Sequence, residues 1–295
     1  MVKNVFEIRK KCPLCNSKKI KIIFSKNFDD IRTKNFFKTH LNNKFPFKIL
    51  DYSKYNISEC QQCKLLFQNN ILNDEYNNKF YNDYINHDEI LINKNSSKQN
   101  SLIFQSEIKL IDKIFKNKNI KILEYGAGLG AWINAMKKSG YKDICAIEIS
   151  KERREYLKKN KIISFKNISN LKKKFDLIYS DQTLEHIKYP GKAIKELVKL
   201  LKPNGYLIFK VPPGNLLKNK LDDKYVAQKD EATPLEHINI YTNMSIKFVK
   251  SKYKLKNVKI FFLFKIYEKE FFKSLISYFY HLYYGKKFIL QKYDD

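Results

Sequence analysis

Three groups of residues in this 295-residue chain have types and spacings that could do chemistry. Two cysteine pairs, Cys12-Pro-Leu-Cys15 and Cys60-Gln-Gln-Cys63, form the first. The second is a glycine-bearing loop, Glu124-Tyr-Gly126-Ala-Gly128-Leu-Gly130, with a further carboxylate at Glu148. The third is a pair of acid–imidazole steps, Glu185-His186 and Glu236-His237. Four thiolates at CxxC spacing match a closed, tetrahedral, structural zinc site with no position left for water. Glycines let a backbone turn sharply and approach a ligand. An imidazole that titrates near neutrality can take a proton from a hydroxyl or an activated carbon.

These residues need elements to hold them, and the pattern supplies alternating strands and helices. A helix is expected from about Lys98 to Lys116, with Phe104, Ile108, Ile111 and Phe115 at three- and four-residue spacing. Short apolar strands follow at Ile120–Tyr125, Asp143–Ile149, Lys161–Phe165, Phe175–Ser180 and Tyr206–Val211. Helices lie between them at Gly130–Ser139, Ser150–Lys158 and Pro190–Leu201. Repeated strand-then-helix units imply a parallel sheet with right-handed crossovers. Such sheets bind ligands beyond the carboxyl ends of their strands, where the glycine loop falls. Beyond the fifth strand, a helix near Asn243–Ser251 and a strand near Val258–Ile266 are expected. A last, antiparallel strand is expected over Lys286–Lys292. The chain divides on this reading into residues 1–70 (a zinc-binding module with little hydrophobic core), 71–100 (a linker with short helices) and 101–295 (the α/β domain, with a helical insertion near 268–284).

The loop itself discriminates between cofactors. Its spacing is GxGxG, whereas nicotinamide and flavin loops prefer GxGxxG. Glu124 would repel a pyrophosphate but suits the positively charged amino-acid end of S-adenosylmethionine. Glu148 ends the second strand, placed to accept hydrogen bonds from both ribose hydroxyls.

The pieces ILEYGAGLGAW, AIEIS, FDLIYSDQTLEHI and LLKPNGYLIFKVP occur in order between residues 120 and 211. This segment resembles the class I S-adenosylmethionine-dependent methyltransferases. The resemblance implies a Rossmann-like, seven-stranded sheet whose last strand is antiparallel. It also implies that Glu124, Gly126, Gly128 and Gly130 surround the methionine moiety and that Glu148 holds the ribose. Asn167 would lie near the adenine, and Asp181 and Gln182 would line the pocket close to the methyl group. With the cysteine module in front, the chain is similar to bacterial sugar methyltransferases acting on nucleotide-linked ketosugars. That similarity implies a sugar-type acceptor, a tyrosine-rich stretch (Tyr76, Tyr81, Tyr84) before the cofactor domain, and His237 as general base oriented by Glu236.

Other readings of the same residues stay open. Glu236-His237 could anchor the loop before the following helix. Glu185 and His186 could orient their loop by local hydrogen bonds, or His186 could face the acceptor. Tyr81 and Tyr84 could hold the acceptor or pack on the domain. The CxxC pairs could be redox thiols, although neither pair reads as a helix start.

The chain carries 58 basic and 30 acidic residues, a formal net charge of +28. A balance of that kind can attract nucleic acid or phosphorylated substrates. An RNA methyltransferase is therefore one alternative, and a non-catalytic cofactor-binding or scaffold protein another. The lysines are spread through the whole chain, which favours a compositional style over a dedicated arm. No apolar run reaches the roughly 18–20 residues that span a bilayer, so a cytoplasmic protein is expected.

Overall fold

Helix α1 (Lys98–Ile114) forms where the apolar spacing puts it. Phe104, Ile108 and Ile111 are buried together against the sheet, and Phe115 packs beside them. Next come β1 (Ile122–Tyr125), α2 (Ala131–Lys138), β2 (Ile144–Ile147), α3 (Lys151–Lys159) and β3 (Ile163–Phe165). They are followed by β4 (Phe175–Asp181), α4 (Pro190–Leu200) and β5 (Leu201–Val211). Strands β6 (Leu255–Asn257) and β7 (Lys286–Lys292) close the set. Strands β1 and β2 are buried almost throughout, as expected of central strands covered on both faces. Ser150 starts α3 by accepting the Arg153 N–H on its Oγ at 3.3 Å.

The computed structural model describes residues 5–41, 44–84, 98–258 and 286–292. Its contacts divide the chain into two compact units. One comprises Asp88–Thr183, Ile194–Val211 and Val249–Asp295 and carries a seven-stranded sheet in the order β3-β2-β1-β4-β5-β7-β6. Strand β7 runs antiparallel to both neighbours, with Tyr206 opposite Gln291 and Val211 opposite Lys286. Pro203-Asn-Gly205 makes an irregularity within β5, where the register with β4 shifts between Leu201 and Tyr206. The core gathers Ile122, Trp132, Ile133, Met136, Leu177 and Ile208, with the Trp132 ring stacked on Tyr179 at 3.9 Å.

The other unit comprises Met1–His87, Leu184–Ala193 and Pro212–Phe248. A four-stranded sheet orders Asn239–Ile240, Leu66–Gln68, Lys54–Cys60 and Ile20–Asn27. Helix Ile31–His40 starts at Asp30, whose carboxylate accepts the N–H groups of Arg32 and Thr33. The sequence reading of a region with little core needs correction here. Phe6, Phe24, Phe28, Phe37, Phe45, Tyr55 and Phe80 form an aromatic core. The rings come largely from turns and strand ends, so no helical or strand period announces them.

The division also departs from the boundaries read along the sequence. Residues 212–248 join the cysteine-bearing unit because Asn239 and Ile240 pair with Phe67 and Leu66. A local pattern carries no information about so distant a partner. The helical insertion expected at 268–284 lies outside the described residues. So does all but the first residue of the strand expected over Val258–Ile266.

Ile133 is fully buried in the sheet core. Ile133→Ala should therefore cost about 2–5 kcal/mol, while Ile133→Val should cost about 0.5–1.5 kcal/mol. Urea titrations with unchanged slope and lowered midpoints would record both.

Candidate functional site

The glycine loop joins β1 to α2, and each of its glycines has a left-handed backbone: φ is +79° at Gly126, +56° at Gly128 and +72° at Gly130. A Cβ at Gly126 would come within 2.2 Å of Thr183 Oγ1, and one at Gly130 within 2.6 Å of Leu157 Cδ2. Two conditions, the backbone hand and the close approach, thus demand glycine. Glu148 follows β2, and its buried carboxylate accepts the Gly128 N–H at 2.8 Å and the Ser150 N–H at 2.9 Å. Each oxygen takes one backbone bond and keeps lone-pair capacity for a hydroxyl. Glu124, at the end of β1, is also buried. The loop's N–H groups at Gly126, Ala127, Gly128 and Gly130 are spent within the protein, and the two buried carboxylates, Glu124 and Glu148, make a lining that fits a cationic nucleoside better than a diphosphate.

At the end of β4, Asp181 pairs in register with Lys210 of β5, which in turn lies opposite Lys287 of β7. Lys210 Nζ is 2.9 Å from Asp181 Oδ2 and 3.0 Å from Glu107 Oε1 of α1. Lys287 Nζ is 3.0 Å from the same Glu107 oxygen, and Tyr179 donates its hydroxyl to Glu107 Oε2 at 2.7 Å. Burial by itself would raise the Glu107 carboxyl, but Lys210 and Lys287 hold it well below the usual carboxylate range. Burial would lower Lys210, but Asp181 and Glu107 hold it above the usual lysine range. The result is a row of two cations and two anions that fixes the Asp181 carboxylate. Gln182 follows with φ +48° and donates its N–H to the Lys210 carbonyl at 3.1 Å. Asn167 sits exposed after β3, at the start of a short 3-10 turn.

The imidazoles of His40, His186 and His237 all lie in the cysteine-bearing unit. His186 Nδ1 bonds the Glu236 carbonyl at 2.8 Å, with the Tyr81 hydroxyl 3.2 Å away. His237 Nδ1 bonds the Asp230 carbonyl at 2.5 Å. The two rings are 5.1 Å apart at 57°. Burial pushes His186 down to about 4, with His237 adding to the effect, and burial also lowers His237. Both rings are therefore neutral at physiological pH. One assignment needs correction. The Glu236 carboxylate does not orient His237; it pairs with His40 Nε2 at 2.5 Å. The Asp230 carbonyl orients His237, because the turn over Asp230–Thr233 brings that carbonyl back onto the ring.

The four cysteines come together. Cys12 Sγ lies 3.5 Å from Cys63 Sγ, and Cys15 Sγ lies 3.5 Å from Cys60 Sγ. One donor atom from each lies within 4.8 Å of the others, a group that could hold a metal ion. Both knuckles fold alike. The Asn16 N–H returns to the Cys12 carbonyl and the Lys64 N–H to the Cys60 carbonyl, each at 2.9 Å, and both residues have positive φ. The thiols compete for charge: their mutual bond lowers Cys12 to about 6 and raises Cys63, while burial pushes Cys15 up to about 12. A cation among them would remove that competition, so the donor set fits one.

Glu107, Lys210 and Lys287 escaped the sequence reading, as did His40. Lys210 did leave a signal, a lone charge inside the apolar run Tyr206-Leu-Ile-Phe-Lys-Val211. His40 left none.

Residues 100–260, more than half the chain, match a family model described as a methyltransferase domain. An uncharacterized protein of Methanocaldococcus jannaschii is 36% identical over 132 residues, covering 43% of this chain and 54% of its own. The ubiquinone biosynthesis O-methyltransferase of Pelagibacter ubique is 36% identical over 116 residues, covering 36% of this chain and 47% of its own. The chain thus spans about half the length of the curated relatives it matches. Among solved structures, the plantazolicin methyltransferase BpumL in complex with SAH aligns with a TM-score of 0.52 at 15% identity, over 74% of this chain and 94% of that one. The plantazolicin methyltransferase BamL, in complex with a desmethylPZN analog and SAH, aligns at 0.55 with 13% identity, over 73% and 94%. At these identities the likeness is one of fold. No helix among the described residues is long and apolar enough to cross a membrane.

Glu107→Gln removes the anion that faces both buried lysines and should cost about 3–5 kcal/mol, the usual effect of breaking a buried pair from one side. The Glu107 pKa is depressed on folding, so its contribution is present above the ordinary value of 4.5 and is lost as pH falls below it. The acid limb of the stability curve should accordingly be shallower in the variant, as measured by urea unfolding between pH 3 and 7.

Proposed function

This chain belongs to the methyltransferase-domain family, and on that footing we propose that it transfers a methyl group from S-adenosylmethionine to a small-molecule acceptor. The observation that carries the reading is the Gly128 N–H bonded to the Glu148 carboxylate, which ties the glycine loop to the end of the next parallel strand. When bound, S-adenosylmethionine supplies a methyl carbon on a positively charged sulfur. Glu124 faces the ammonium end of the methionine, Glu148 holds the ribose hydroxyls, and Asp181 and Gln182 line the pocket. Asn167 takes the adenine edge. The Lys210 row keeps the Asp181 carboxylate in one place.

The acceptor needs a group that takes its proton. We assign that to His237 Nε2, since the Asp230 carbonyl fixes the proton of this ring on Nδ1. His186 lies beside it, with the Tyr81 hydroxyl at His186 Nδ1, and Glu236 acts on the cluster through His40 and through its own carbonyl. A hydroxyl-bearing, sugar-type acceptor, free or nucleotide-linked, suits a neutral imidazole base and the cysteine module ahead of it. We assign Zn2+ a structural role at Cys12, Cys15, Cys60 and Cys63, where four thiolates would leave no open position.

Titration calorimetry with S-adenosylhomocysteine tests the cofactor assignment. Binding is expected, with Glu148→Ala weakening it at least tenfold and Gly126→Val abolishing it; no binding by the unaltered chain would overturn the reading. Methyl transfer should be detected with nucleotide-linked sugars and should survive raised salt. Activity on RNA alone, falling steeply with salt, would favour the nucleic-acid alternative. Purified protein should carry one zinc at the cysteines, and Cys60→Ser should lose it together with much of the thermal stability of its unit.

A further inference from the structure

Glu185, His186 and His237 lie in the same unit as the cysteines but apart from them, and one donor atom of each lies within 4.8 Å of the others. A backbone carbonyl can only accept, so the bonds to the Glu236 and Asp230 carbonyls place the proton of each ring on Nδ1. That leaves the Nε2 lone pair of each imidazole as the donor. Glu185 Oε1 stands 3.9 Å from His186 Nε2, too far for a hydrogen bond but near the separation of two ligands on one ion. A ligating histidine whose other ring N–H is held by a carbonyl is the usual support around a metal.

The loops that carry these residues are held by buried side chains. Asn239 donates to the carbonyls of Leu184, Glu185 and Ile187 at 3.1, 3.3 and 2.7 Å. Arg9 donates to Asn239 Oδ1 at 3.0 Å and to the Ile238 and Lys188 carbonyls at 2.9 and 2.8 Å. Gln68 donates to the carbonyls of Thr233 and His237 at 3.0 Å each. The donors are thus set before any ion arrives.

We propose that Glu185, His186 and His237 bind a divalent first-row transition ion, of the kind taken by two imidazoles and one carboxylate. Three protein ligands leave positions open, unlike the four cysteines. An acceptor hydroxyl fits such a position, and there its pKa falls. The inference rests on the methyl-transfer reading but gives its acceptor side a different activator, because His237 Nε2 is then a ligand and not the base. The two uses of the Nε2 atoms exclude one another, and ion content decides between them.

The test loads the full chain, stripped with chelator, with Co2+. Two equivalents are expected, one showing thiolate-to-cobalt charge transfer from the cysteines and one showing ligand-field bands alone. His186→Ala/His237→Ala should bind one equivalent fewer and keep the thiolate band, which reports that the unit is folded. Glu185→Gln, which preserves volume, should weaken the thiolate-free site at least tenfold. Equal stoichiometry in all three proteins, or only the thiolate band in the unaltered chain, would overturn the proposal. Should the double variant also lose the thiolate band, Glu185→Gln decides: weakened binding supports the site and unchanged binding overturns it. Because the readout is cobalt content, failure of S-adenosylhomocysteine binding would leave this result unaffected.

Discussion

Lys210 carries a charge in the buried stretch Leu207–Val211 of β5, and the arrangement around β5 follows from pairing it. In register, β4 brings Asp181 to one side of it and β7 brings Lys287 to the other. Helix α1 then supplies Glu107 to both lysines. Removing two cations and two anions from water is costly, and only close mutual pairing offsets it. The row therefore accepts one packing of α1 on the sheet and one strand order beside it. The carboxylate that it immobilises, Asp181, stands at the carboxyl end of β4, where this class of sheet presents its ligand site.

The same constraint works through backbone carbonyls in the cysteine-bearing unit. Arg9, Asn239 and Gln68 are buried, and their donors end on backbone carbonyls of the loops around Leu184–Lys188 and Thr233–Ile238. Loop carbonyls far from water must find donors. Here the donors come from three separate segments, so two loops with no regular structure hold their histidines in fixed orientation. The aromatic core supplies the apolar burial, and the cysteine knuckles bring Cys12 and Cys63, far apart in the chain, within 3.5 Å of one another.

Much of the α/β unit was legible because its signals are local. The stripe through Phe104, Ile108 and Ile111 reads as a helix at three- and four-residue spacing. The apolar runs after it read as buried parallel strands, and the glycine spacing marks the loop between the first strand and its helix. Even β7 is readable, from the short apolar run Phe288-Ile-Leu290. What stayed hidden were pairings between distant residues. Nothing near Glu236 in the chain indicates that its carboxylate meets His40, or that His237 turns toward the Asp230 carbonyl.

By itself, then, the sequence determined the order of strands and helices in the α/β unit, the GxGxG loop after its first strand and the two CxxC pairs, since each rests on spacing that a short segment enforces. Only the tertiary structure decided that residues 212–248 fold with the cysteines, that Asp181 is held by Lys210, and that Glu185, His186 and His237 share one place. The physical reason is that burial pairs each polar group with whatever partner the packed chain brings within about 3 Å. That partner is set by sheet register and loop closure between segments separated in the chain, beyond the reach of any periodic pattern.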